Sequence, residues 1–597
     1  SSDQIFADAA RWGVTGFDRA LAFESGWRNA CEPSPDHRVG RAGVGQSRFT
    51  GRPSRGVDAA FSWVIEGAIS DAALGHFAQL LASAEVIPQV GAIPPAGATP
   101  LAGSTRTRQH APLIADKVIP PVGGTPSPAR YQAFARYFTN RAKSYRQLFD
   151  PTVGFFRGDP ARPQGFDPAR LLGFDPTGSP GFNPTWRLGL DSPARRPVFD
   201  PPTGATRSDP TRPRRFDPNQ WGGDYTETNA WGMSVSAVHD GPGLARLFGG
   251  PAGLRRHLDR LFATPELARD PGGYGRIIHE QREARAVRAG MCAISNQPAH
   301  HIPHMYTASD QPWRAGPVVR ELARRLFTGG HIGQGYPGDE DNGEMSAWWL
   351  WALLGLYPLE LASGDLLIGC PLVDDLTVAR SDGSRLRVRS SHRDEGECLL
   401  EARLNGRPLT RALLPIDALR GGGDVELALV FGSNPQDSPL WSGGYADSAA
   451  SPSAQSPDSP WCPDLSRPDW SIGPSTLRHA SAFNDWSTPG SFVALASGDW
   501  VGQRFPHPII VTDITLTTLD ASSAGCWEVE RSDDGEQWER VAPTHREALP
   551  SGRTTPFQLS EPRAACCWRI RFDAPVRLAQ VEFFSLDLDP RWADVPA

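Results

Sequence analysis

Apolar residues recur every three or four positions in two N-terminal stretches. Over 54–84, Phe61, Val64, Ile65, Ile69, Leu74, Phe77 and Leu81 fall near i, i+3/i+4, i+7 spacing, which predicts a helix with one core face. Over 128–149, Tyr131, Phe134, Tyr137, Phe138 and Tyr145 repeat the pattern. The Pro/Gly-rich segment between them, 87–127, reads as a long loop. Residues 218–358 return to helical spacing. From 359 to 432 the pattern becomes alternating or β-branched, with an Asn405–Gly406 turn, which predicts strands. A Ser/Pro/Asp-rich stretch, 433–475, reads as a linker. Short strands with Asp-Gly punctuation over 476–587 then predict a β-sandwich. One region differs in kind: Phe-Asp-Pro recurs irregularly at 149–151, 166–168, 174–176, 199–201 and 216–218. Proline denies long helices and central strands there, so 158–217 reads as an inserted surface loop.

Composition narrows the class. A chain of 597 residues exceeds one ordinary core, so two to four domains are expected. With 39% hydrophobic and 21% charged residues it is globular. A net charge of −7 argues against nucleic-acid binding and against a polybasic anchor. No apolar run approaches the ~18–20 residues of a membrane span, and the opening SSDQIFADAA does not read as a signal peptide. Nineteen Trp offer flat faces of the kind that stack on sugars. The eight Cys are scattered without a CxxC pair and read as buried, inert thiols.

Candidate chemistry concentrates in 221–241, 295–306 and 335–358. The first holds Asp224, Glu227 and Asp240 among aromatics. The last packs Asp339, Glu340 and Asp341 between glycines, just before a helix carrying Trp348, Trp349 and Trp351. Acid–base chemistry on a sugar needs one protonated and one ionised carboxyl beside an aromatic wall. A capping loop on a buried helix would produce the same pattern. Asp339-x-Asp341-x-Gly343 lacks the further ligands of an EF-hand. His300, His301 and His304 have metal-like spacing, but Pro303 breaks a helix there and no Glu completes the metalloprotease pattern, so they read as pocket or core residues.

FTNRAKSYRQLFDPTVGFFRG (138–158), FDPNQWGGDYTETNAW (216–231), SNQPAHHIPHMY (295–306), Pro312-Trp313 and PGDEDNGEMSAWWLWALLGLYP (337–358) occur in consistent order. With these blocks residues 1–432 resemble family 92 of the glycoside hydrolases, calcium-dependent inverting exo-α-mannosidases. The resemblance implies a mixed multidomain fold: an (α/α)6 toroid catalytic domain over 1–358, interrupted by 158–217, with a β-rich extension over 359–432. It implies Glu227 as general acid, from the match of 225–231 to the family's Tyr-x-Glu-Gly-Asn-x-Trp, and Asp341 as base with Asp339 as partner or alternative. His300, His301, Trp231, Trp313 and Glu340 are implied to bind substrate, and Asn296 and Gln297 to hold Ca²⁺. Thr228, Gly232 and Gln297 stand where the family has Gly, Gln and Glu. The family's N-terminal β-sandwich has no counterpart in the chain, which implies a truncated protein with that segment on a separate piece.

After the linker, 476–597 resembles an F5/8-type (discoidin) module akin to carbohydrate-binding family 32, through FNDWSTPGSFVALASGDWVGQRF, RSDDGEQWERV and RLAQVEFFSL. Trp486, Trp500, Arg504 and Trp538 are its loop-tip or core residues. The expected function is exo-hydrolysis of α-linked mannosides by a secreted or cell-surface enzyme acting on polymeric glycan. Two alternatives stand beside it: the same fold acting on another sugar, and a catalytically weak carbohydrate-binding or adhesion protein.

Overall fold

The computed structural model describes residues 2–34, 39–53, 57–83, 127–158, 216–329, 335–441, 461–487, 490–520, 526–541, 545, 548–560 and 562–586. The loop expected at 87–127 and the insertion expected at 158–217 lie, apart from their edges, outside these residues.

Both predicted N-terminal helices form. Helices α1 (Ser2–Arg11), α2 (Arg19–Cys31), α3 (Val44–Thr50), α4 (Ala60–Ser83) and α5 (Pro128–Arg141) make up the first layer. Helix α4 begins at Ala60, later than its periodicity suggested. Helix α5 starts cleanly because the Ser127 hydroxyl accepts the Arg130 N–H and Pro128 supplies a preset φ. It stops at Arg141, where a 3₁₀ turn (Ser144–Leu148) takes over. Phe23 of α2 meets Phe77 of α4 and Phe134 of α5 edge-on, at 5.8 and 5.3 Å. Asp71 of α4 is buried and clamped by Arg41 (2.6 Å) and by both arms of Arg141 (2.6 and 2.7 Å). Residues 216–358 pack helices Gly241–Leu247, Pro251–Ala263, Ala315–Leu326 and Glu344–Leu354 on a second core that holds Trp221, Tyr225, Trp231, Tyr306 and Trp348. The segments that hold the candidate residues, 216–229 and 288–314, are mostly turns and 3₁₀ pieces rather than helices.

The β reading of 359–432 holds. After a short hairpin of β1 (Phe149–Asp150) and β2 (Phe155–Phe156), strands β3 (Leu356–Tyr357), β4 (Asp365–Ile368) and β9 (Leu413–Pro415) form a small sheet. A five-stranded sheet runs β5 (Asp375–Ala379), β6 (Arg385–His392), β10 (Val425–Gly432), β7 (Cys398–Leu404), β8 (Arg407–Pro408), and its β6–β10 pair is parallel. The C-terminal unit is a sandwich of two antiparallel sheets. One is β11 (Ser471–Ile472), β13 (Trp500–Ile510), β18 (Ala564–Phe572), β15 (Trp527–Ser532), β16 (Glu539–Arg540). The other is β12 (Val493–Leu495), β19 (Val576–Phe584), β14 (Asp513–Thr518), β17 (Thr554–Gln558). Trp527 and Trp568 fill its core. The fold is therefore mixed and multidomain, with a helical domain walling one large cavity and β-sandwiches beside it. All eight cysteines are free thiols, and burial pushes Cys370 up to about 11.

The linker expectation needs correction. Residues 433–441 pack on the five-stranded sheet, where Ser438 and Trp441 donate to the Leu400 and Leu399 carbonyls. Residues 461–475 belong to the sandwich: β11 pairs with β13, and the Leu465 N–H reaches Phe583. Only 442–460 of the composition-based linker falls outside the described residues. The sandwich is also docked rather than merely tethered. Arg136 forks onto Asp513 (2.9 and 2.6 Å), Trp27 donates to the Thr554 carbonyl (2.9 Å), and Arg130 donates to Pro556 (2.6 Å) while lying over Phe557.

The docked sheet carries buried acids. Burial, helped by the nearby Asp485, pushes Asp464 up to about 7, and burial lifts Glu582 well above the ordinary carboxylate range. Ser466 and the Phe583 N–H donate to Asp464, Gln580 to Asp485 and Thr515 to Glu582, with Arg467 acting on Asp485 and Arg141 and Arg48 on Glu582. An acid whose folded pKa exceeds its unfolded value of about 4 is favoured in its protonated form, so stability falls as pH rises from about 4 through about 7. Denaturant unfolding of the sandwich should therefore need less denaturant at pH 8 than at pH 5. Asp464→Asn should flatten that difference, and a pH profile unchanged by the substitution would contradict the reading.

Candidate active site

Helices distant in sequence enclose a cavity of about 680 Å³. Gln4 of α1 and Trp63, Glu66 and Ile69 of α4 form one side. Gln297, His300, His301, Glu344, Trp348 and Trp351 form the other. The polar floor is ordered: His300 Nδ1 lies 2.6 Å from Glu344, and the Trp348 indole donates to the His300 carbonyl at 3.1 Å. That contact to His300 holds the Glu344 carboxyl below its usual range. Burial pushes His301 down to about 4 and His304 to about 3, so both are neutral imidazoles. His304 stacks on Tyr357 with ring centroids 3.7 Å apart and is a core residue, whereas His301 lines the cavity.

Glu227 and Asp341 stand beside the cavity and are joined through two amides. Asn296 Nδ2 donates to Glu227 Oε2 at 3.1 Å, the Gln297 N–H donates to Asn296 Oδ1 at 3.0 Å, and Gln297 Nε2 donates to Asp341 Oδ2. Thr226 and Gln297, next to the two carboxylates along this chain of contacts, line the cavity itself. The Glu227 N–H donates to the Tyr274 hydroxyl at 2.7 Å. Glu227, Asp341 and Asn342 all hold left-handed φ (52°, 53° and 59°), which is strained for non-glycine residues and frequent where a site is positioned against local preference. Gly338 allows the close approach: a Cβ there would lie 2.1 Å from the Ser295 carbonyl.

Three expected contacts are corrected. Trp231 is not a cavity wall. It is buried edge-on to Phe155 (4.8 Å) and stacked on His257, with its indole on Asn219. Glu340 turns to the helix Glu344–Leu354 and accepts from the Gly343 N–H and from Ser346, so it caps that helix. Trp313 sits half-buried in the turn Pro312–Arg314, away from the cavity lining. Asp339 is exposed in the loop beside Asp341. In the sandwich, Trp500 and Trp538 flank Arg569, and Trp486 lies against Arg48. The α4 wall, Trp63 and Glu66, was read from sequence only as part of a core helix. The signal was there, since Ser62, Glu66 and Ile69 share one face at i, i+4, i+7.

Asn296 and Gln297 bear oxygen donors suited to a hard cation. As arranged they turn N–H₂ groups to the two carboxylates, and a half-turn of each amide would present oxygen instead. No group of three His, Cys, Asp or Glu converges as a metal cage among the described residues.

The two departures at 228 and 232 compensate each other. A Cβ on Gly232 would lie 2.1 Å from Thr228 Oγ1, so the Thr228 side chain fills the space that a side chain at 232 would take. Gly232→Ala should cost about 1–3 kcal/mol by overpacking. Thr228→Gly in the same chain should recover most of that loss in urea unfolding, and additive losses in the double variant would refute the compensation.

Residues 189–430, about two fifths of the chain, match the model of the glycosyl hydrolase family 92 catalytic domain. No curated protein matches. Among solved structures the chain is similar to a family GH92 α-mannosidase of Bacteroides thetaiotaomicron in complex with mannoimidazole, at 21% identity and TM-score 0.49, covering 76% of this chain and 46% of that one. A family GH92 inverting mannosidase of the same organism is similar at 24% identity and TM-score 0.47, over 73% of this chain and 47% of that one. The F5/8 type C domain of a Bacteroides fragilis protein is similar at 12% identity and TM-score 0.19, covering 21% of this chain and 98% of that one. The chain spans less than half the length of the two mannosidases. It thus resembles glycosyl hydrolase family 92 through residues 189–430, the stretch that carries Glu227, Asn296, Gln297 and Asp341.

Proposed function

We propose that this protein is an exo-acting, inverting glycoside hydrolase of α-linked mannosides, secreted or at the cell surface. The observation that supports it best is the amide bridge: Asn296 and Gln297 hold two strained carboxylates beside an aromatic-lined cavity. Glu227 would protonate the leaving oxygen, and Asp341 would activate water on the opposite face of the ring. A direct displacement by water requires carboxyls about 6.5–9.5 Å apart, and a two-residue bridge is a means of keeping them separate. Trp351 would stack on the sugar, with the neutral His301 accepting or donating to a hydroxyl.

Asn296 and Gln297 would hold Ca²⁺ through their side-chain oxygens once the amides turn over. When bound, the ion would supply electrostatic stabilisation of the sugar hydroxyls. Gln297 and the Thr228/Gly232 pair also support a second reading, the same chemistry on a different α-linked sugar.

Three outcomes are expected. Glu227→Gln and Asp341→Asn should each lower kcat on an aryl α-mannoside by about 10²–10⁴-fold with the melting temperature kept. Activity retained in both would remove the assignment. NMR of the first product should show the β-anomer, and an α-anomer would exclude inversion. A panel of aryl glycosides separates mannose from other sugars. Calcium should raise the melting temperature above its value in EDTA, and more so in Gln297→Glu. Superimposable melts in calcium and EDTA would rule out a cation at this pair.

A further inference from the structure

Helix α4 has a second polar face. Its residues Val64, Gly67 and Asp71 line another cavity, of about 50 Å³, closed by Arg41, Ser47 and Arg48 and by Arg141 and Ser144. Trp63 borders this cavity and the larger one alike. The space is too small for a sugar. One water needs about 10–15 Å³ on such a measure, so it accommodates a few waters or one tetrahedral oxyanion.

Its three guanidiniums are not equivalent. Arg41 and Arg141 share Asp71, and Arg41 also reaches Asp3 at 3.2 Å. Arg48 is 4% exposed and forms no ion pair among the described residues. Its Nη1 donates to two backbone carbonyls, Cys31 and Gly552 (2.7 Å to the latter). Its guanidinium lies over Trp486 and Phe49, and its Nε has no hydrogen-bond partner among the described residues. Glu582, across the junction, feels Arg48 and Arg141 but accepts from Thr515, and burial favours its neutral, protonated form. Counting Asp71 and Asp3 against the three arginines, the site keeps one positive charge in excess. A buried cation without a counter-ion is costly, and a guanidinium fork beside serine hydroxyls is the donor set that oxyanions select.

We propose that this cavity is a binding site for a small inorganic oxyanion, phosphate or sulfate, held by Arg48 with the hydroxyls of Ser47 and Ser144. The site lies where α3, α4 and α5 meet the sandwich, because Arg48 also grips the Gly552 carbonyl. Occupancy therefore ties the sandwich to the helix that walls the larger cavity.

The test is titration calorimetry and thermal melting of the full chain with sodium phosphate and, separately, sodium sulfate, against sodium chloride at matched ionic strength. At least one oxyanion should bind saturably and raise the melting temperature while chloride does not, and the tighter of the two identifies the physiological class. Arg48→Met should weaken that binding by about tenfold or more. Because Arg48 also braces the junction, a second variant guards against misfolding. Ser47→Asp supplies a carboxylate in the cavity, so it should melt above the parent without oxyanion and no longer respond to it. Equal shifts with oxyanion and chloride, or a parent-like response in Ser47→Asp, would overturn the proposal.

Discussion

The helical domain hangs on one buried carboxylate. Asp71 sits in the middle of α4, on a largely buried helix, and is gripped from two directions, by Arg41 ahead of α3 and by Arg141 at the end of α5. Arg41 passes the constraint on to Asp3 of α1. A buried ion that must keep its partners tolerates little rotation or sliding of its helix. Helix α4 is thereby set in register, and its opposite face delivers Ser62, Glu66 and Ile69 to the large cavity while its near face closes the small one. Ser62 extends this to the loop of Glu227, since its hydroxyl accepts the Thr226 N–H at 2.9 Å, one residue away.

The loop carboxylates are held by polar contacts rather than by packing. Glu227 and Asp341 sit on exposed turns with unfavourable backbone angles and would gain freedom if left alone. The amide bridge, the Tyr274 hydroxyl and the approach of Gly338 to Ser295 restrain them. Glu340, which sequence places in the same acidic cluster, is diverted to the helix N-terminus, where unsatisfied N–H groups compete for it. Three neighbouring acids thus take three different environments.

The C-terminal sandwich meets the helices through a polar, arginine-rich face: Arg136 on Asp513, Arg130 on Pro556 and Phe557, and Arg553 on Glu24 and Glu32. Such contacts are satisfied only when both surfaces are in place, which couples the two units. The linker reading drawn from Ser/Pro composition misses this docking, because residues 433–441 and 461–475 at its two ends pack on the sheets.

The sequence alone determined what is local. Periodicity placed α4 and α5, alternation and Asn-Gly turns placed the sheets, and order-preserving blocks marked 221–231, 295–306 and 337–343 as the chemical segments. The roles proposed for Glu227 and Asp341 rest on the motif resemblance. Tertiary structure decided which of those side chains meet. Trp231 has the composition of a sugar platform, yet long-range packing on Phe155 and His257 buries it. Trp63 and Glu66 fall off the apolar stripe of α4, and the packing of the helix turns them to the cavity. Helix and strand preferences arise from interactions a few residues apart and are written in the sequence itself. Cavities, ion clamps and bridging amides depend on distances between segments tens of residues apart or more, and those exist only once the chain has closed on itself.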